Sequence, residues 1–347
     1  MVIHRLSPRI LLDPNGEKPS DGLVPDPAAA RRFSKHRVVS WHGRWQGPCQ
    51  RLMRQNALLL PILLSCATLL LAQRYRYWGG GEGAISEDSA IRTARDAPTH
   101  SVDMPTWTNR PGFNKDAFTF TRLRYTRNPY RSRAFSHCFT DFPDSDLNLS
   151  YRLQQLTSIN VDPDGRVLHI NDPELFEYPW VYMVEPGALR FETHELETLK
   201  KYLLNGGFLM ADDFWGTRQW RNFENEMKRV LPNSEFVDLP MDHPIFSCVF
   251  DLRGLTKQGL QVPNFRTGEM SQHDGVTWEE HDGEECREVH IRALFDDKGR
   301  MIVIACHNTD NGDGWEREQE YHYYFRQFSE KRAYPLGINI IFYAMTH

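Results

Sequence analysis

The stretch LKKYLLNGGFLMADDFWG, residues 199–216, decides the fold. Leucines recur at helical spacing over residues 192–205, which predicts a helix that the following pair of glycines ends. The apolar run at 208–211 is typical of a strand covered on both faces, and two aspartates follow it. A second helical stripe of apolar side chains comes next, at 220–230. Helix, Gly-Gly, strand, Asp-Asp and helix is the rhythm of a parallel α/β sheet.

The flanking sequence supplies the other elements. The predicted fold class is therefore α/β, a mostly parallel sheet flanked by helices. Ligands of open α/β sheets bind beyond the carboxyl ends of the strands. The loops after 118–125, 208–211 and 301–306 are therefore the candidates for binding a ligand. Further strands are predicted at 118–125, 167–170, 178–184 and 301–305, and further helices at 146–158 (with Asp146 as N-cap), 316–331 and 334–346.

Charge is spread unevenly along the 347 residues, whose formal net charge is −5. Residues 1–55 carry a net charge of +6, so the remaining chain carries −11. Phosphate binding needs a basic surface, and an acidic body argues against nucleic acid as a partner.

An uncharged apolar run, ALLLPILLSCATLLLA, occupies residues 57–72. Basic residues precede it and a small residue ends it, which is the layout of a signal peptide or an uncleaved membrane anchor. Residues 53–78 are assigned to this segment, and 1–52 to a disordered tail or to an extension upstream of a start at Met53. We expect a flexible linker at 79–115 and the α/β domain at 116–347, with the membrane reached through residues 57–72.

Six cysteines are present, and none forms a C-x-x-C pair, which disfavours a zinc ribbon. Four of them follow the apolar run, so one disulfide could form among them if the domain is exported. Buried free thiols are the alternative, and the sequence does not pair the cysteines.

Asp212 and Asp213 are the candidate catalytic residues, together with His243. Carboxylates that directly follow a buried strand can share a proton or hold a cation, and a histidine can act as a general base. The alternative for the aspartates is a helix cap plus a salt bridge, and for His243 a packed turn.

A second set of polar residues flanks the other strand ends and is predicted to bind a ligand. For these residues, helix capping, solvated loops and turns are the alternative. The loop after 301–306 fails the D-x-[DN]-x-[DN]-G pattern of calcium loops, so no metal ligand is assigned from sequence and the cofactor stays unknown. The set comprises Arg122, Arg124, Asp141, Asp146, Asn308, Asp310 and Asp313.

Residues 117–346 resemble the bacterial family called domain of unknown function 4159. The resemblance implies a class I glutamine amidotransferase-like, flavodoxin-type fold. Catalytic relatives of that superfamily carry a nucleophilic cysteine after the Gly-Gly strand, where this chain has Asp212 and Asp213. The matching stretches are FTFTRLRY, DFPDSD, FEYPWVYMVEPG, LKKYLLNGGFLMADDFWG, DHPIF and RMIVIACHNTDNGDGWE.

The same resemblance implies a cell-envelope context, inner-membrane anchored or periplasmic, with MoxR-type ATPases and von Willebrand factor A-like proteins as neighbours. Because the thiol is missing, the expected function is a non-catalytic binding or scaffold domain of the envelope. The alternative is a hydrolase that acts on a carbohydrate or peptide through a carboxylate and histidine pocket. A purely structural domain is the third hypothesis.

Overall fold

A computed structural model describes residues 90–101, 104–109, 116–126, 137–281, 283–318 and 320–347. The predictions for residues 1–52 and for the apolar run at 57–72 lie outside these ranges. Within them, no helix has both the length and the apolar character needed to cross a membrane.

Seven strands form one mixed sheet in the order β2-β1-β3-β4-β9-β8-β5. The first five in this order run parallel, β8 is antiparallel to β9, and β5 is antiparallel to β8. The predicted α/β class is confirmed. A separate two-stranded hairpin joins β6 and β7. The strands are β1 (Thr121–Arg124), β2 (Arg166–His169), β3 (Trp180–Val184), β4 (Phe208–Phe214), β5 (Val237–Asp238), β6 (Glu280–His281), β7 (Glu284–Glu285), β8 (His290–Phe295) and β9 (Met301–His307).

Helices cover both faces of the sheet, and this is why β3, β4 and β9 are buried along their whole length. Short 3₁₀ turns occur at Ala94–Asp96, His137–Phe139, Pro173–Glu177, Pro186–Ala188, Pro244–Phe246 and Lys257–Leu260. The helices are α1 (Asp144–Leu156), α2 (Thr193–Leu204), α3 (Gly216–Val230), α4 (Phe265–Asp274), α5 (Asn311–Glu316), α6 (His322–Tyr324), a π-helix (Phe325–Ala333) and α7 (Tyr334–Thr346).

Two apolar cores fill the space between these layers. One core joins the sheet to α1, α5, the π-helix and α7. The other joins the opposite face to α2 and α3. Since β1 lies between β2 and β3, the chain first adds β2 on one side of β1 and then crosses back to add β3 on the other side. The direction in which strands are added to the sheet therefore reverses at β1. In sheets with such a reversal, the carboxyl ends of the neighbouring strands are the usual ligand position.

Strand β4 extends beyond its predicted end and contains both Asp212 and Asp213. Its pairing with β9 shifts register between Ala211 and Phe214, which is a β-bulge. The prediction of a turn directly after Ala211 is therefore wrong. Because of the bulge, β4 pairs with β9 both before and after the two aspartates. A hydrophobicity pattern does not reveal a bulge.

Helix boundaries also differ from the predicted ones. The first helix begins at Asp144, with Pro143 as its N-cap, so Asp146 is not the cap. Asp146 instead pairs with Arg122 of β1. The predicted helix at 316–331 is replaced by α5, which ends at Glu316, followed by α6 and the π-helix.

Part of the segment predicted as a linker, residues 90–101 and 104–109, contacts the domain. Ala94 is buried, and its N–H donates to Asp164 O at 2.8 Å. The Trp107 indole donates to Val161 O, also at 2.8 Å. We call residues 90–109 the arm. Its described residues are packed against the domain.

Gly337 of α7 determines how closely α5 approaches. A Cβ at this position would lie 2.8 Å from Trp315 Cζ2 and 3.4 Å from Leu149 Cδ1. We expect Gly337→Ala to lower the free energy of unfolding by about 1–3 kcal/mol through overpacking, despite the gain of about 1 kcal/mol in helix propensity. Urea denaturation measures the change. Gly254→Ala, where a Cβ would meet no atom within 4 Å, is the matched control. Equal stability of the two variants would contradict this account of the packing.

Candidate functional site

Three aspartates from three different segments meet at the carboxyl edge of the sheet. Asp141 lies in the connection from β1 to α1, Asp213 in β4, and Asp310 follows β9. One carboxylate oxygen from each lies within 4.8 Å of the others. Asp213 and Asp310 are buried, with 9% and 5% of their surface exposed. The three together form what we call the aspartate triad.

A second group of carboxylates adjoins the first and shares Asp141 with it. The oxygens of Asp141, Asp313 and Glu316 also lie within 4.8 Å of one another. Asp313 and Glu316 lie one turn apart in α5, and both are buried. Five carboxylates are thus gathered at one end of the sheet, and we call them the acidic cluster.

Arg317 is the cation that contacts this cluster among the described residues. Its Nε lies 2.6 Å from Glu316 Oε2 and 3.9 Å from Asp313 Oδ1. It also pairs with Glu320, at 3.2 Å. One guanidinium does not neutralise five buried carboxylates, so the cluster needs protons or a further cation.

Burial is the first cause of the raised pKa values in this cluster. It raises the pKa of Asp141, Asp213, Asp310 and Glu316 well above their usual range, and it raises the pKa of Asp313 as well. Mutual repulsion acts in the same direction, for example from Asp213 and Asp141 on Asp310. Carboxyls with raised pKa values are typical of functional sites, although structural networks also produce them.

Asp212 points to a different set of partners from its neighbour. Its Oδ2 accepts hydrogen bonds from the backbone N–H groups of Asn311 and Gly312 and from the Tyr182 hydroxyl, at 2.9, 3.1 and 3.1 Å. Its Oδ1 accepts from Asn311 Nδ2 at 2.8 Å. Burial raises the pKa of Asp212 to about 6. Asp212 therefore fastens the start of α5 to the centre of the sheet.

Four non-glycine residues with left-handed backbones lie near the carboxyl ends of the parallel strands. They are Asp141, Glu185, Asp213 and Asn308, with φ values of 61°, 48°, 54° and 61°. Each such residue costs on the order of 1–3 kcal/mol unless its surroundings hold it there. Two of them belong to the aspartate triad, and backbone strain of this kind concentrates at functional sites.

The end of β9 holds the turn that follows Asp213. Asn308 Oδ1 accepts from Gly216 N at 2.8 Å, and Asn308 N donates to Phe214 O at 3.0 Å. His307 Nε2 lies 3.1 Å from Gly216 O, while its Nδ1 lies 3.1 Å from Arg292 Nη1. Burial lowers the pKa of His307 to about 3, so the neutral ring donates from Nε2 and accepts at Nδ1. Asn308, predicted to bind a ligand, positions this turn instead.

Arg122 and Asp146, both predicted to bind a ligand, are occupied with each other. Arg122 is fully buried, and its Nε donates to both oxygens of Asp146 at 3.0 and 3.1 Å. It also donates to the carbonyls of Cys138 and Thr140. These contacts anchor the connection that carries Asp141. Arg124 lies over the Phe139 ring, 5.2 Å from its centroid.

His243 does not join the acidic cluster in any described contact. Its Nδ1 accepts from Ile245 N at 3.3 Å, which caps a 3₁₀ turn, and its ring packs on Tyr343. Its charged neighbours are Asp242 and His347. No described contact brings His243 together with Asp212 or Asp213. A histidine before proline in a short turn is a capping residue here.

Sequence reasoning missed Glu316, Trp215 and Glu279. Trp215 Nε1 donates to Asp213 Oδ1 at 2.9 Å, and its ring stacks on His281. Glu279, which bonds His281 Nε2 at 3.0 Å, acts electrostatically on Asp213 and Asp313. Glu316 follows Asp313 at helical spacing, a signal that requires the short helix α5 to be recognised first. No sequence signal connects Glu279 to the site.

Comparison with known families gives one match. The model of the family described as "Domain of unknown function (DUF4159)" matches residues 119–345, which is more than half of the chain. No curated protein matches the chain.

The buried carboxyls are expected to lower the free energy of unfolding of the metal-free chain as the pH rises from about 4 through about 6, while His307, whose pKa burial lowers, acts in the opposite direction. The pKa of Asp212 is 3.8 ordinarily and about 6 when folded, so its contribution is present at low pH and is lost as the pH rises through about 6. A pKa shift of this size in one carboxyl changes the free energy of unfolding by about 3 kcal/mol. The acidic cluster acts in the same direction. Urea denaturation in EDTA at several pH values measures this.

Asp310→Asn is the informative variant for this pH dependence, because asparagine can still cap α5 but does not ionise. It should reduce the fall in stability with pH. Asp297→Asn, at an exposed position, is the control and should leave it unchanged. The same change of the free energy of unfolding with pH in Asp310→Asn and in the wild type would contradict the expectation.

Proposed function

Since the chain belongs to the DUF4159 family, defined only as a domain of unknown function, we propose from the site itself that it is a binding domain whose ligand is held through a divalent metal ion. The observation that carries this proposal is the aspartate triad. Three segments of the chain, separated by 72 and 97 residues along the sequence, bring carboxylate oxygens within 4.8 Å of one another in the interior.

The chemistry of the triad favours hard cations. Carboxylate oxygens are the ligands preferred by Mg²⁺, Ca²⁺ and Mn²⁺. A buried charge is tolerated where it is paired or binds a metal, and the cation in contact among the described residues, Arg317, lies beside Glu316 and Asp313. A divalent ion at the triad would supply the missing positive charge.

Asp141 gives further support. Its Oδ2 is buried and has no hydrogen-bond partner among the described residues. A Cβ at Gly312 would collide with this oxygen, so glycine lets α5 approach it closely. Burying a carboxylate oxygen that accepts no hydrogen bond destabilises the folded chain, unless a proton or a cation compensates the lost contact with water.

A metal-dependent hydrolase is the second candidate, and the conformation of Asp213 favours it. By the resemblance to amidotransferase-like domains, this residue would correspond to the position of their nucleophilic cysteine, and its φ is 54°. The same feature supports an amidotransferase-like fold. With a carboxylate in place of the thiol, a bound cation would activate water for attack on a carbohydrate or peptide.

We place the domain in the cell envelope, held at the inner membrane or exported through residues 57–72. The basic residues before the apolar run support this location, since they suit a cytoplasmic flank. An envelope complex with MoxR-type ATPases and von Willebrand factor A-like proteins is the proposed setting, by analogy with the family.

Cation binding is tested by thermal unfolding of the full chain in EDTA and then in Mg²⁺, Mn²⁺ or Ca²⁺. A cation that binds only the folded state adds about 2.7 kcal/mol at 100 times its dissociation constant. We expect Mn²⁺ to stabilise the wild type, and Asp213→Asn and Asp310→Asn to remove most of that gain. The variants keep the size of each side chain and remove its charge.

Asp297→Asn serves as the control, because it removes one exposed carboxylate from the turn between β8 and β9, at the opposite end of β9 from Asp310. It should respond to Mn²⁺ like the wild type. If no cation stabilises the wild type, or if the triad variants and the control respond equally, the metal site is wrong.

Hydrolysis is tested with the Mn²⁺-loaded chain on chromogenic glycosides and peptide anilides. The enzyme candidate requires turnover that EDTA abolishes and that Asp213→Asn lowers by about 10²–10⁴-fold, the usual contribution of an acid–base group. Stabilisation by Mn²⁺ without turnover would support the binding function and would exclude a hydrolase that acts on these substrates.

A further inference from the structure

The arm lies outside the segment that the family match covers, residues 119–345, and yet it is built into the domain. Val167 N of β2 donates to Arg92 O at 2.8 Å. The Arg92 side chain pairs with Asp172 and Glu174, each at 3.2 Å. These contacts fix the arm along β2, from which it continues toward the start of α1.

Midway along the arm, His100 and Ser101 reach a buried carboxylate. Asp144, the first residue of α1, is fully buried. Its Oδ2 accepts from His100 N at 2.9 Å, and its Oδ1 accepts from Ser101 N at 3.0 Å. Among the described residues, both donors to this carboxylate therefore come from the arm.

Asp144 lies three residues after Asp141, the residue that the two carboxylate groups share. The backbone connects them further, since Ser145 N donates to Asp141 O at 2.9 Å. The arm also approaches the cluster from outside, where His100 Nε2 lies 3.9 Å from Glu316 Oε1. Asp141 is thus joined, through the first turn of α1, to two N–H groups of the arm, and Arg122 bonds the same turn at Ser145 and Asp146.

We propose that the arm positions the cation site, with the backbone N–H groups of His100 and Ser101 holding Asp144 and, through it, Asp141. The proposal rests on the divalent-cation function proposed above. Asp144 and Ser101 are positioning residues, because they act on the site through Asp141. Partners that orient metal ligands typically change metal affinity by about 10- to 100-fold when they are removed.

The chain offers a matched pair of variants at Ser101. Ser101→Pro removes the N–H that Asp144 accepts from, whereas Ser101→Ala keeps it. The serine hydroxyl has no hydrogen-bond partner among the described residues, so the alanine variant loses no described contact. The affinity of the full-length chain for Mn²⁺ is measured by titration calorimetry. We expect about 10- to 100-fold weaker binding for Ser101→Pro and unchanged binding for Ser101→Ala.

Equal Mn²⁺ affinity of the two Ser101 variants would overturn the proposal. If Ser101→Pro does not fold, Asp144→Asn takes its place. Asparagine keeps one of the two acceptor oxygens, so it should weaken Mn²⁺ binding by less than a variant that loses both hydrogen bonds from the arm. Wild-type affinity in Asp144→Asn would then overturn it.

A second readout separates this proposal from the cation site itself. Amide hydrogen exchange at residues 144–147 reports on the first turn of α1 without any metal. Faster exchange in Ser101→Pro than in Ser101→Ala is expected if the arm holds this turn. If the wild type binds no cation but the exchange differs, the cation function fails and the arm remains a support of the turn. Equal exchange would refute the role of the arm.

Discussion

The carboxylate of Asp212 joins the middle of the sheet to α5, and the site depends on this connection. Four donors from β3 and from the start of α5 surround its two oxygens. A short helix of six residues has little stability of its own, so it stays in place through such tertiary contacts. Because α5 carries Asp313 and Glu316, this buried carboxylate determines where the second carboxylate group lies.

The remaining supports of the site also come from neighbouring strand ends. His307 and Asn308 hold the turn after β4, and Arg122 with Asp146 holds the connection after β1. Each support uses a buried polar group that is fully hydrogen-bonded, which gives rigidity in a low-dielectric interior. The acidic cluster differs from them, since its five carboxyl groups outnumber the one guanidinium, that of Arg317, that contacts them among the described residues. This contrast separates the residues that build the framework from those available to a ligand.

Much of the fold was readable from the sequence, because buried strands and amphipathic helices leave strong periodic patterns. The site was readable in part. Acidic residues after strand ends pointed to Asp141, Asp213, Asp310 and Asp313, which the structure brings together. The pattern did not separate Asp213 from Asp212, since adjacent strand residues face opposite sides and either can be the structural one.

Other assignments failed because the side chains have structural partners, some distant and some local, that the sequence pattern does not show. Arg122 is predicted from sequence to bind a ligand, but it pairs with Asp146, which follows 24 residues later. His243 looked like a base, but the nearby backbone of a 3₁₀ turn uses its ring. Glu279 approaches the cluster from a segment with no periodic signal. Pairings of this kind depend on the tertiary fold, which local propensity does not encode.

The backbone bond between Arg92 and Val167 has a consequence for association between molecules. β2 is the outermost strand on its side of the sheet, and an uncovered outer strand presents free N–H and C=O groups to any passing chain. The arm occupies part of that edge with its own backbone. A chain shortened to the family-matched segment would expose it and invite strand addition between copies. The arm thus covers part of the edge at which such pairing would take place.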